Sequence, residues 1–401
     1  MGPRPSQAVA DLVGRLDECV GDTRTARTLP GECYTSEEFF AFEKEALLFR
    51  EWLCLGHHSS IPDPGDYYTI TVADEPLIVV RGEDHVVRVL SAVCRHRGHP
   101  VAQDAGNCAQ FRCPYHWWSY ALDGSLVAAP EMRHTLPLPE LRADTRLPEL
   151  RVELWHGLIF ANFDLDAAPL APTLWRIERE VAAFGMEDLV ATPVESVGER
   201  PWNWKLHHEN ALEPYHTQFV HRGYHEMAPV SRATFWDFEE DEGAVMHPTY
   251  FDNAQGGLDG GMNPMGVAIS PSIPGLSDDQ RSRVLFGSIP PTLFLSIFPN
   301  YVGLSILLPQ SAGVTLGRRH LLYPKSVAED PTWSWIHASE EAFDDIAGVQ
   351  DATTTSTLQV SLRSRYAPSG RYSHQEATLP QFNTWLVRRY QRYLAETGAA
   401  S

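Results

Sequence analysis

Between Cys94 and His116 the chain states one chemical theme twice: Cys94-Arg95-His96, then sixteen residues, then Cys113-Pro114-Tyr115-His116. Each half offers a thiolate and an imidazole close enough for one loop to turn both toward the same centre. Together they supply two sulfur and two nitrogen ligands. Structural zinc accepts such a set, but its finger signature pairs Cys with Cys and His with His. Here each pair is mixed, which suits a two-iron cluster with both thiolates on one iron and both imidazoles on the other. Zinc stays as the alternative for the same four residues.

A second constellation lies further along, at Glu209, Glu213, His216 and His221. Steps of four and three residues put Glu209, Glu213 and His216 on one face of a helix. A charged stripe ordinarily faces water, but Trp202, Trp204, Leu212, Tyr215 and Phe219 surround this one. A helix so placed is buried on several sides, and its carboxylates and imidazoles need partners or a metal. His221 falls ~140° round an ideal helix from His216. The two share an ion only if the helix deforms or ends between them, and Pro214, which gives no N–H to the ladder, is a reason for a break. On spacing alone, a metal pair and two ordinary packed histidines both remain open.

The elements that must position these residues are legible from patterning. Apolar spacing predicts a helix over 6–20, and Thr35 with Glu38 forms a capping-box signature for another over 36–50. From 52 to 162 short alternating runs at 53–57, 67–72, 77–80, 86–90, 110–112, 119–121, 151–154 and 158–162 are separated by turn signals such as Pro64-Gly65, Asp123-Gly124 and His156-Gly157. That is a small antiparallel β domain with the Cys/His pairs at strand ends. A linker over 164–173 precedes a helix at 173–184, a strand at 190–197 and a helix at 206–220. Residues 252–282 read as a long loop, followed by strands at 291–297, 300–308 and 313–323 and helices at 331–348, 350–363 and 375–395. The expected fold class is α+β, divided into an N-terminal helical arm (1–50), an antiparallel β domain (51–163) and a C-terminal domain of antiparallel sheet and helices (164–401).

With 401 residues, 43% apolar and 21% charged, the chain has the composition of a globular protein with a sizeable core. A formal net charge of −20 argues against nucleic acid or an anionic membrane as partner. No apolar run approaches a membrane span and the N-terminal region lacks a signal-peptide core, so a cytoplasmic location is expected. Of six cysteines, Cys19, Cys33, Cys54 and Cys108 are read as free thiols. Cys108 lies between the ligand loops, in a turn entering a strand, and is not counted as a ligand.

The Cys94/His96/Cys113/His116 set, followed by Asn203-Trp204-Lys205 and then Glu213-x2-His216-x4-His221, resembles the catalytic α subunit of Rieske non-haem iron oxygenases, the aromatic-ring-hydroxylating superfamily. The resemblance runs from about residue 35 to 395 and implies a Rieske [2Fe–2S] domain followed by a helix-grip-like catalytic domain. It implies that Cys94, Cys113, His96 and His116 hold the cluster and that His216 and His221 bind mononuclear Fe(II). A distant carboxylate completes a 2-His-1-carboxylate triad. Gln359-Val360-Ser361-Leu362 and Ser369-Gly370-Arg371 resemble the family's C-terminal segments, which sets that carboxylate at Asp351, with Asp344 and Asp345 as competitors.

Two departures from the common pattern stand out. Glu213 occupies a position usually held by Asp, as in a subset resembling carnitine and other quaternary-amine oxygenases, and Trp117 replaces the usual Gly after the last cluster histidine. The resemblance further implies a homotrimer in which electrons cross between subunits from His116 through Glu213 to His216. A separate reductase, with or without a ferredoxin, would supply them from NAD(P)H, since no Gly-rich dinucleotide fingerprint is present. O2 is activated beside a small organic substrate, giving mono- or dioxygenation or oxidative demethylation. Glu209 is read either as a polar group near the substrate or as a residue holding the helix. Glu213 and the aromatic content lean toward a cationic amine, with aromatic substrates as open. The alternative of a different class is a Rieske electron carrier, which would need only residues 52–162.

Overall fold

The computed structural model describes residues 2–193, 196–239, 242–252, 258–260 and 268–398, with all their side chains except those of 196, 197, 222, 224 and 343–345. It divides into two compact units, residues 49–168 and residues 1–48 with 169–401.

The smaller unit is built from short antiparallel strands: β1 (Leu53–His57), β2 (Asp66–Val72), β3 (Glu75–Arg81), β4 (Val87–Ser91), β5 (Ala105–Asn107), β6 (Phe111–Arg112), β7 (Ser119–Tyr120), β8 (Leu126–Ala128), β9 (Arg151–Trp155) and β10 (Leu158–Asn162). They form three sheets, ordered β1-β10-β9, β4-β3-β2-β5 and β6-β7-β8. β5, β8 and the helix Leu138–Asp144 are absent from the sequence expectation. β5 reads Ala-Gly-Asn and is fully exposed, so it shows no alternation and is recruited only by pairing with β2.

The first Cys/His loop follows β4, and the second joins β6 to β7. The two share one backbone pattern. Cys94 N–H donates to His99 O and Gly98 N–H to Cys94 O, at 3.0 and 2.9 Å; Cys113 N–H donates to Trp118 O and Trp117 N–H to Cys113 O, at 2.8 and 2.9 Å. In both loops the fourth residue after the cysteine is left-handed, Gly98 at φ +80° and Trp117 at φ +62°. That matched position is why glycine suits it, and Trp117 holds it against the Cβ clash that other residues meet there.

The larger unit carries β11 (Leu189–Ala191), β12 (Ser196–Arg200), β13 (Val245–Tyr250), β14 (Arg283–Ile289), β15 (Leu293–Ile297), β16 (Val302–Ser311) and β17 (Val314–Pro324). They make one antiparallel sheet ordered β11-β17-β16-β15-β14-β13, with β12 also on β17. The expected strand 190–197 falls on β11 and the start of β12, with 194–195 outside the described residues. β13 and β14 were not expected. β13 contains Pro248, which reads against a strand but is tolerated on this edge, and β14 lies just past the segment read as loop.

The N-terminal helix Gln7–Arg15 and the helix Thr378–Glu396 bury Val9, Leu12, Phe382, Trp385 and Tyr390 in one core with Trp204 and Leu206. Beneath them the fully buried Lys205 ammonium contacts both Glu43 carboxylate oxygens, at 2.7 and 2.8 Å, and the Tyr390 hydroxyl donates to the same carboxylate. A buried charge of this kind is tolerable because it is paired and hydrogen-bonded.

Two helical expectations are corrected. The helix expected over 206–220 runs Trp204–Leu212, Glu213 is extended (φ −112°, ψ 128°), and a single turn resumes at Thr217–Val220. Pro214 explains the stop. The helices expected at 331–348 and 350–363 are one, Trp333–Ser361, since Gly348 weakens a helix interior without ending it.

Candidate metal centres

Within the smaller unit the two cysteines and two histidines are unlike in environment. Cys94 and Cys113 are 3% and 2% exposed and share one core with Phe111, Trp118 and Tyr120. His96 is exposed and His116 half-buried, with ring centroids 4.7 Å apart, and His96 stacks on Trp118 at 4.8 Å. The Tyr120 hydroxyl lies 3.4 Å from Cys94 Sγ and accepts from Arg95 N–H at 3.0 Å. Its own proton is therefore free to be donated to a thiolate. Buried sulfurs with outward imidazoles fit a cluster whose two irons have different ligands.

In the larger unit the helix break does what an unbroken helix cannot. His216 and His221 sit at the two ends of the single turn Thr217–Val220, their ring centroids 5.1 Å apart. Both Nε2 atoms face Asp351 Oδ1, at 3.6 Å from His216 and 2.8 Å from His221. Ligand atoms of the three residues all lie within 4.8 Å of one another. Donors ~2.1 Å from one ion and at right angles stand ~3 Å apart, so this set fits a divalent metal with a vacant face.

Each imidazole is also held from behind. His216 Nδ1 donates to Glu213 Oε1 at 2.7 Å, and His216 N–H donates to Glu213 Oε2 at 3.0 Å. His221 Nδ1 donates to Gln350 Oε1 at 2.6 Å. Partners on the far nitrogen fix ring orientation and leave Nε2 for the metal. Gln350 is the residue that sequence reasoning missed; only its place beside Asp351 could have flagged it. The side chains of Asp344 and Asp345 lie outside the described residues.

Glu209 goes elsewhere. Its carboxylate accepts from the Tyr34 hydroxyl at 2.7 Å, on the side of the N-terminal arm, and it is not among the residues lining the cavity described next. Burial pushes its pKa up to about 7, partly opposed by the Tyr34 bond and Lys205.

His216, His221, Asp351 and Glu213 line a cavity of about 460 Å3. Its floor is one face of the sheet. Gly303, Ser296, Phe286 and His247 are successive cross-strand partners from β16 to β13, and all four line it. Phe286 and Phe294 stack at 6.4 Å. The helix above is anchored to that sheet by His208: Nε2 donates to Pro291 O at 2.9 Å and Nδ1 accepts from Ser288 at 2.8 Å. Burial lowers the His208 pKa to about 4, which keeps it neutral for that role. Phe294 and Phe298 also line the cavity; residues 253–257 and 261–267 lie outside the described residues.

Residues 178–392 match the family model for the ring hydroxylating alpha subunit (catalytic domain), and residues 51–145 match that for the Rieske [2Fe-2S] domain. The chain belongs to the ring hydroxylating alpha subunit family. It is 34% identical over 213 residues to a carnitine monooxygenase oxygenase subunit of Acinetobacter baumannii, covering 53% of this chain and 56% of that one. It is 35% identical over 228 residues to the biphenyl 2,3-dioxygenase subunit alpha of Rhodococcus jostii, covering 55% and 47%. The chain thus spans about half the length of the curated relatives it matches. In fold it is similar to a quaternary ammonium Rieske monooxygenase, with a TM-score of 0.76 at 23% identity over 98% of this chain and 100% of that one.

The cofactors of such a chain are a [2Fe–2S] Rieske cluster and a mononuclear iron, and both donor sets described above suit them. The electron-carrier alternative leaves the matched catalytic domain without a role. No helix among the described residues is long and apolar enough to cross a membrane.

Proposed function

We propose that this protein is the oxygenase component of a multicomponent system. It takes electrons from NAD(P)H through a separate reductase, with or without a ferredoxin, and uses O2 to hydroxylate or oxidatively demethylate a small organic substrate. The observation that carries the reading is the convergence of His216, His221 and Asp351 on one cavity, in a chain that also holds the paired Cys/His loops. Cys94, His96, Cys113 and His116 hold the cluster, and His216, His221 and Asp351 hold Fe(II). When bound, the cluster supplies single electrons and the Fe(II) supplies the place where O2 is activated.

The protein's own groups do the positioning. Glu213 and Gln350 fix the imidazoles through Nδ1. The phenylalanines of the sheet exclude water and seat the apolar part of the substrate. Glu213 also bridges to His116 of another copy in a homotrimer: each of its oxygens accepts one proton from His216 and keeps a second lone pair for a neighbour's imidazole. Residues 51–163 form the electron-donating domain and 164–401, with the arm 1–50, the catalytic one, working in the cytoplasm. Glu209 holds the helix against Tyr34.

The test is a panel of aromatic and amine compounds with a surrogate reductase, NADH and isotopically labelled O2. Substrate-dependent NADH oxidation with label in the product is expected. Cluster reduction without labelled product from any compound would contradict the proposal.

A further inference from the structure

We propose that the cavity is built for an organic anion, and that Arg200 binds a carboxylate of the substrate. The inference rests on the oxygenase reading only in calling the occupant a substrate. In the β12–β17 pairing Gly198 faces Gly317 and Arg200 faces Thr315, with Arg319 two residues beyond Gly317 on the same face. Gly198, Arg200, Gly317 and Arg319 all line the cavity. A Cβ at Gly317 would collide with the Arg200 guanidinium, whereas one at Gly198 would meet nothing within 4 Å. The two glycines therefore let the arginine lie flat across the sheet and leave room above it.

The guanidinium is fixed by Nη1 donating to His207 Nδ1 at 3.0 Å. Because arginine has no acceptor, His207 must accept at Nδ1 and carry its proton on Nε2. Burial and the Arg200 charge hold the His207 pKa well below its usual value, so it stays neutral and does not compensate the cation. Among the described residues no carboxylate bonds Arg200. Glu199 also lines the cavity but makes no bond to Arg200, and Glu213 and Asp351 are committed to the imidazoles. Arg319 adds a second positive charge: burial and Arg319 together depress the Arg200 pKa.

A largely enclosed cation with a like charge beside it and, among the described residues, four unused N–H groups is stabilised by an anion, and a carboxylate matches its fork. His207 packs edge-on against Phe294 at 6.3 Å, and Phe294 stacks on Phe286, so an apolar slot leads away from the charged end. The occupant this selects is a carboxylate on an aromatic or alkyl body.

Calorimetric titration of the metal-loaded protein with matched sets reads this directly: benzoate, benzamide and phenyltrimethylammonium, with the corresponding phenylacetate and hexanoate sets. In at least one set the carboxylate should bind ~100-fold more tightly than its amide, the worth of a desolvated charge pair. Arg200→Gln should erase that preference and Arg200→Lys restore part of it, with iron content and circular dichroism unchanged. Equal affinities within every set, tighter binding of the cation, a preference that survives Arg200→Gln, or no carboxylate binding at all would overturn the proposal. Labelled-O2 incorporation is followed separately. Carboxylate preference without any oxygenated product would sink the oxygenase reading and leave the anion site standing, while oxygenation confined to neutral or cationic compounds would do the reverse.

Discussion

The two candidate metal centres are built on opposite plans. In the smaller unit four ligands come from two loops of one short stretch, each closed by the same pair of backbone hydrogen bonds, and the imidazoles face outward. In the larger unit three ligands come from a broken helix and a distant one, and both imidazoles are clamped from behind by side chains. The first site is local and survives as long as its hairpins do. The second exists only through tertiary packing, so changes outside its ligands should reach it far more easily.

Glu213→Ala gives the largest contrast. It removes the clamp on His216 and, with it, the proposed bridge to a neighbouring copy, and turnover should fall by ~100-fold or more. Iron occupancy should be recoverable with added Fe(II) while turnover is not, and the cluster spectrum should not change. Recovery of turnover with iron would reduce Glu213 to a metal-positioning group.

Glu209 comes next. Its folded pKa of about 7 lies above the ordinary 4.5, so its contribution to stability is fully present below pH 4.5 and is lost as pH rises through 7. Glu209→Gln keeps an acceptor for Tyr34 without the charge. Its unfolding free energy relative to wild type should therefore rise between pH 5 and 8, by on the order of 2 kcal/mol, and a flat difference would show that Glu209 is not held protonated.

On the cluster side the expected effects are smaller and leave the second site untouched. Tyr120→Phe removes a hydroxyl 3.4 Å from Cys94 Sγ, and the cluster potential should drop by on the order of 50 mV, one charge-assisted hydrogen bond for a one-electron couple. Voltammetry showing no shift would mean the hydroxyl does not donate to the sulfur. Smallest is Trp117→Gly, which relieves a left-handed φ of +62° at a residue 61% exposed. Stability of the smaller unit should gain about 1 kcal/mol or less by chemical denaturation. A loss would show that Trp117, with Arg112 5.3 Å over its ring, holds the loop.

The same contrast decides what the sequence could reveal. Cys94, His96, Cys113 and His116 are legible because local spacing is the site. His216 and His221 are ambiguous by spacing, since an ideal helix parts them, and the break at Glu213-Pro214 that reunites them depends on where the helix stops. Asp351 was reached through resemblance, and Gln350 was not reached at all, because what marks it is a ring nitrogen from another element. Glu209, placed by helical period beside the ligands, turns to Tyr34 once the helix ends before Glu213. Arg200 carries no motif; only the β12–β17 register shows what it lies against.

Iron counted per chain in wild type and in Asp351→Ala, with the visible spectrum recorded in parallel, tests the central claim most directly. The wild type should hold about three irons. Asp351→Ala should hold about two, with the cluster spectrum intact. Retention of the third iron in Asp351→Ala, or its loss together with the cluster, would contradict the assignment of His216, His221 and Asp351 as a separate iron site.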